Sequence, residues 1–197
     1  DTLIGGGGNN TLTGGDGADR FVIEAAAPAT AFNVITDFDL ANPEEKIDLT
    51  AFDFTNKRLV AEWNASLTEL DFYTDTGALY KGALKLTGLN FGTQDTPIYK
   101  LPDIQQMFSF ASGKAPLGFE VRAPAGTPVF GSNGTDLLKG ANSYYYPWSG
   151  NDTIDVGANQ IGGFFVTRQP GQVIRIQNFQ NSVERWGFMS GSGEQII

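Results

Sequence analysis

Large apolar residues recur at a fixed interval at the start of the chain. Leu3, Leu12 and Phe21 stand nine residues apart, each preceded by a polar residue and the last two following a glycine-rich run. One inward side chain per nine residues fits a very short strand, and the glycines permit the positive φ of a tight turn. Gly5 to Thr13 and Gly14 to Val22 follow without a gap, and both fit Gly-Gly-x-Gly-x-[Asp/Asn]-x-U-x, where U is a large apolar residue. Asp1-Thr2-Leu3-Ile4 reads as the tail of a preceding unit, so the chain is expected to open inside a repeat. A fixed period of this kind predicts stacked turns of a parallel solenoid.

After Val22 the period changes. Val34-Ile35-Thr36-Asp37-Phe38-Asp39 leads through a polar loop to Lys46-Ile47-Asp48-Leu49. From Leu59 the alternation predicts antiparallel strands: Leu59, Ala61 and Trp63 against Val60, Glu62 and Asn64, then Leu70 with Phe72, then Leu84 with Leu86. Thr74-Asp75-Thr76-Gly77 reads as a hairpin turn. Ile104, Met107 and Phe108 lie at helical spacing between Pro102 and Gly113, which predicts one short helix. Ala123-Pro124-Ala125-Gly126-Thr127-Pro128 breaks both periods, so 123–130 is expected to link a module at 1–122 to one at 131–197.

Beyond that linker the opening grammar returns in decayed form. Gly131-Ser132-Asn133-Gly134-Thr135-Asp136-Leu137-Leu138-Lys139 fits the nine-residue unit with one glycine replaced, and Ser149-Gly150-Asn151-Asp152-Thr153-Ile154-Asp155 fits its later part. Phe164-Phe165-Val166 echoes Phe21-Val22-Ile23, Ile176-Gln177-Asn178-Phe179 echoes Ile35-Thr36-Asp37-Phe38, and Glu184-Arg185-Trp186-Gly187-Phe188 echoes Glu45-Lys46-Ile47-Asp48-Leu49. An internal duplication with a period of about 140 residues follows. Asp37, Asp39 and Asp48 become Asn178, Gln180 and Gly187, so the second copy should hold a cation less well. The fold expected is all-β: the end of a parallel β-roll, an antiparallel sandwich-like module with one short helix, and a second, degenerate β-roll.

Composition narrows the chemistry. Among 197 residues there is no histidine and no cysteine, which removes a Ser-His-Asp triad, a thiol nucleophile and a Cys/His zinc site. With 22 acidic against 13 basic residues the net charge is −9, which disfavours nucleic acid and favours cations as ligands. Oxygen-ligand chemistry remains, and catalysis by this chain is not expected. No apolar run reaches the ~18 residues a membrane helix needs, and no leader is recognised at Asp1.

Three motifs in order, Gly14-Gly15-Asp16-Gly17-Ala18-Asp19-Arg20-Phe21, Ile35-Thr36-Asp37-Phe38 and Lys46-Ile47-Asp48-Leu49-Thr50-Ala51-Phe52, resemble the end of the β-roll in RTX, or hemolysin-type calcium-binding, proteins such as serralysin-type proteases and alginate epimerase R-modules. The resemblance implies Ca²⁺ held between stacked turns, an all-oxygen cage of about six ligands. Its expected members are Asp1, Asn10, Asp16 and Asp19 with Gly6, Gly8, Gly14, Gly15 and Gly17 in the turns, while Asp37 completes the last turn. Asp1 is expected over Asp19 on one side and Asn10, which brings no charge, on the other. In the second copy Asp136 and Asp152 are the candidates. The resemblance further implies type I secretion from a Gram-negative-type bacterium, with folding outside the cell or at its surface, of a larger protein whose activity lies upstream; the family's zinc protease motif is absent.

The cluster Tyr144-Tyr145-Tyr146-Pro147-Trp148 admits two readings. It either stacks on an extracellular polysaccharide or plugs the open end of the second roll, with contact to a neighbouring surface protein as a third use. Asp71 with Asp75, or Glu44 with Glu45, are carboxylate pairs in predicted turns and edges, where solvated charge is the expectation. Glu194 to Ile197 is similar to an acidic-then-apolar export signal, and Asn64-Ala65-Ser66 and Asn133-Gly134-Thr135 fit the glycosylation sequon.

Overall fold

The computed structural model describes residues 1–24, 31–40, 42–66, 68–75, 79, 81–89, 104–127, 129–140, 143–147, 149–157, 163–164 and 172–178. The chain divides into two compact units, Asp1–Leu117 and Gly118–Ile197.

In the first unit, successive short strands alternate between two sheets. β1 (Thr2–Ile4), β3 (Arg20–Val22) and β5 (Lys46–Asp48) stack in parallel on one side, and β2 (Asn10–Leu12) and β4 (Asn33–Ile35) stack in parallel on the other. Thr2 faces Arg20, a step of 18 residues, or two nine-residue units per coil. That register places Leu3, Phe21 and Ile47 in one inward row, and Leu12 and Ile35 in the row facing it. Phe21, Ile35 and Ile47 are fully buried. Each such side chain contributes about 1.5–3 kcal/mol, so the period in the sequence is the period of the core.

The alternating segment after Leu59 extends this roll instead of forming a separate sandwich. β6 (Arg58–Trp63), β7 (Glu69–Tyr73) and β8 (Leu84–Thr87) make an antiparallel meander, and β8 then pairs in parallel with β4. Leu84 and Leu86 continue the inner row beyond Asn33 and Ile35, which is the apolar reason for that neighbour. Thr74 and Leu79 close the β7–β8 connection through backbone and hydroxyl hydrogen bonds; Thr76 and Gly77 of the expected turn lie outside the described residues. Among the described residues the expected helix is a single 3₁₀ turn, Ile104–Met107, because Phe108 enters β9 (Phe108–Ser109). β9 adds to β5, and the Phe108 ring meets Phe72 edge-on at 4.9 Å, joining the two sheets.

The second unit repeats the alternation. β10 (Gly118–Arg122), β12 (Leu137–Lys139), β14 (Asp152–Asp155) and β16 (Ile174–Gln177) form one parallel sheet, and β11 (Val129–Phe130), β13 (Tyr144–Tyr146) and β15 (Gly163–Phe164) the other. Phe119, Val121, Val129, Leu138, Tyr145 and Ile154 fill the space between them. This is the degenerate second roll. The echoes at Phe165-Val166, Phe179 and Glu184 to Phe188 lie outside the described residues. Among the described residues no helix is long and apolar enough to cross a membrane.

Candidate metal centre

Each nine-residue unit ends its turn with one polar residue immediately before the strand. Asp1 precedes β1, Asn10 belongs to the first position of β2, and Asp19 precedes β3. The glycines make the turn: Gly15 and Gly17 have φ of +89° and +115°. At Gly14 the requirement is space, since a Cβ there would lie 2.4 Å from Asp19 Oδ2. The Asp19 carboxylate is thereby tucked under its own turn and is 2% exposed.

Its two oxygens have different surroundings. Oδ1 accepts from the Asp1 α-amino group at 2.6 Å. Oδ2 is buried without any hydrogen-bond partner, alone in this among the described residues. An unpaired buried carboxylate oxygen is costly, and a hard cation is what its chemistry calls for. Among the described residues no three carboxylates crowd into a metal centre by themselves. An ion held at Asp19 would therefore need most of its oxygens from turn carbonyls.

The register adds residues to this column. Arg20 N donates to Asp1 O and Lys46 N donates to Asp19 O, so Asp1, Asp19 and Glu45 follow one another on successive coils. The Asp1 side chain is exposed, whereas Glu45 is 3% exposed and accepts from Asp39 N at 3.0 Å. Burial, and then the charges of Asp19, Asp39 and Asp37, push the Glu45 carboxyl up to about 7. Glu45 was not among the ligand positions expected from the sequence. Its signal was positional: it stands one residue before Lys46-Ile47-Asp48, as Asp19 stands before Arg20-Phe21-Val22.

Asp37 lies elsewhere. Its Oδ1 accepts from Gly14 N at 2.9 Å and its Oδ2 from Gly15 N at 2.8 Å, so it clamps the turn that covers Asp19. Asp16 is exposed at the tip of the same turn. On the opposite flank Asn10 Nδ2 donates to Gly6 O (3.4 Å), Gly8 O (3.2 Å) and Asn33 Oδ1 (3.0 Å). That turn thus closes on side-chain hydrogen bonds, as the Asp19 turn does in part through Asn42 Nδ2, which donates to Gly17 O at 2.9 Å.

In the second unit Asp136 and Asp152 come together on neighbouring coils, both buried, but their oxygens meet protein donors. Asp136 Oδ1 accepts from Phe119 N (2.7 Å) and Ser132 Oγ (2.9 Å), and its Oδ2 accepts from Ser132 N. Asp152 accepts from Asp136 N (2.9 Å) and Gln172 Nε2 (3.1 Å). Charge-assisted hydrogen bonds stabilise these carboxylates without an ion.

The aromatic cluster separates by face. Tyr145 is fully buried, gives its hydroxyl to Gly140 O, and has its phenol pushed up by burial and by Asp155. Tyr146 points the other way and stacks on Phe130 at 4.7 Å. Tyr144 opens the strand opposite Gly163, and Trp148 lies outside the described residues. Of the carboxylate pairs, Asp71 faces Glu62 across β6 and β7 and accepts from Gly82 N. It lines a shallow cavity of about 120 Å³ with Glu62, Trp63, Asn64, Glu69 and Lys85.

Residues 1–22 match the family model of the RTX calcium-binding nonapeptide repeat (4 copies). RTX nonapeptide repeats bind Ca²⁺, and the matched stretch holds the Asp19 turn. No curated protein and no solved structure matches the chain.

Proposed function

We propose that the RTX repeats at residues 1–22 and the coil that follows them form a calcium-dependent roll end, whose ion completes the folding of the first unit outside the cell. Asp19, Glu45 and the turn carbonyls between Gly14 and Ala18 are the residues that would hold the ion. Bound there, Ca²⁺ supplies the positive charge that lets carboxylates on successive coils pack together. Asp37 and Gly14 act on the turn, one by gripping its amides and the other by leaving room for the carboxylate.

The observation that carries this reading is the buried, partnerless Oδ2 of Asp19 inside an RTX unit. Asp136 and Asp152 serve as hydrogen-bonded anchors, so calcium dependence belongs to the first unit. Calcium-gated folding suits a segment of a larger protein exported unfolded through a type I channel of a Gram-negative-type bacterium, where low internal calcium keeps the roll open. Polysaccharide recognition gains little support from the aromatic cluster, since Tyr145 is interior and Tyr146 and Phe130 turn their faces to each other.

Isothermal titration with Ca²⁺ tests the proposal. The chain should bind with saturable stoichiometry, and Asp19→Asn, which keeps the shape and removes the charge, should weaken that binding by at least about tenfold. Absence of saturable binding by the unaltered chain contradicts it.

A further inference from the structure

Asn133-Gly134 is the chain's single Asn-Gly dipeptide, in the turn before Asp136. Asn133 is exposed and Gly134 half-buried. One hydrogen bond engages Gly134 N, a second relays it to a buried carboxylate, and a third engages the Asn133 carboxamide oxygen. Gly134 N donates to Ser132 Oγ at 2.9 Å, and Ser132 Oγ in turn donates to the buried Asp136 Oδ1 at 2.9 Å. From the neighbouring coil, Ser149 Oγ donates to Asn133 Oδ1 at 2.6 Å.

We infer that Asn133 is a self-modifying site, where the second roll promotes deamidation of its carboxamide through a cyclic imide with Gly134. Attack by Gly134 N on Asn133 Cγ forms the N–Cγ bond, and the amide proton passes by Ser132 Oγ to Asp136. Ser149 supports the negative charge that develops on Oδ1, as a donor aimed at an oxyanion does. The Cγ–Nδ2 bond then breaks. The nitrogen takes a proton from water and leaves as ammonia, while Asp136 returns its proton to solvent. Water adds to the imide and opens it to aspartate or isoaspartate. Gly134, without a Cβ, leaves the approach to Cγ open.

The net change is one amide exchanged for one carboxylate. It turns Gly131-Ser132-Asn133-Gly134-Thr135-Asp136 into a sequence matching Gly14-Gly15-Asp16-Gly17-Ala18-Asp19 at its acidic positions.

The test compares folded protein with a synthetic peptide of residues 131–139 at neutral pH, following the gain of about 1 Da at Asn133 by mass spectrometry. The folded chain should deamidate at least about tenfold faster than the peptide. Ser149→Ala, checked as folded by circular dichroism, should fall back towards the peptide rate. A folded chain no faster than the peptide overturns the inference, as does a folded Ser149→Ala variant that keeps the full rate.

Discussion

A buried polar atom left without a partner costs about 1–3 kcal/mol, and more when charged. Asp19 Oδ2 carries that cost beneath a turn that leaves no room for a Cβ at Gly14. Glu45 compounds it, for its carboxylate follows Asp19 on the next coil and is buried among acids. Replacing Glu45 by Gln should therefore have opposite effects in two conditions. Without calcium the variant should melt at a higher temperature than the parent, because a like charge is gone; with calcium it should bind about tenfold more weakly, because a ligand is gone. Thermal melts in EGTA and calcium titrations read the two signs. In the second unit Glu120 offers a pH test. Burial pulls its carboxyl up, but hydrogen bonds from Lys139 and Arg122 outweigh this and hold it below the ordinary value of 4.5. A depressed acid stabilises the fold above its unfolded pKa, and the contribution is lost as pH falls through the folded value. Stability of the second unit should thus decline on acidification below about 4.5, and less steeply in Glu120→Gln. At this scale the sequence was informative about Asp19, which repeats a motif, and pointed to Glu45 only through its position before a strand, which the register brings into the same column. Asp37 was expected, from the resemblance, as a ligand completing the last turn; in the fold it grips the amides of Gly14 and Gly15.

The turn and the strand it feeds form one element, and steric room at its first residue decides whether it closes. A methyl at Gly14 would fall on the Asp19 carboxylate, whose Oδ2, Cγ and Cβ would lie 2.4, 2.6 and 2.9 Å from it. Gly14→Ala should lower calcium affinity more than Gly7→Ala, since nothing lies within 4 Å of a Cβ at Gly7. Parallel calcium titrations of the two variants provide the comparison. The inner face is set by one large side chain per coil, so Phe21→Ala should cost about 3–5 kcal/mol in the calcium-saturated protein, measured by denaturant unfolding. Strand positions in the repeats could be read directly because one apolar residue in nine permits only one inward register. The meander could not be placed the same way. Alternation at Leu59 to Trp63 and Leu84 to Leu86 identifies strands, but which edge they join depends on Leu84 and Leu86 matching Asn33 and Ile35. The helix expected at Ile104 gave way for a similar reason: Phe108 is worth more between Ile47 and Phe72 than on a helix face.

The two units solve one problem in two ways. Both contain parallel coils with buried acids at strand starts, Asp19 and Glu45 in the first and Asp136 and Asp152 in the second. The first leaves an oxygen for a cation, and the second surrounds its carboxylates with Ser132, Gln172 and backbone amides. From the sequence the loss of Asp37, Asp39 and Asp48 made a weaker second copy the expectation; the donors that meet Asp136 and Asp152 include Ser132, inside the decayed repeat, and Gln172, outside it. Amide hydrogen exchange, followed by mass spectrometry in EGTA and in excess Ca²⁺, bears most directly on this division. The account predicts that calcium slows exchange markedly across residues 1–24 and 31–49 while leaving residues 129–140 and 152–157 as they were. Equal exchange of the opening coils in both conditions would contradict it.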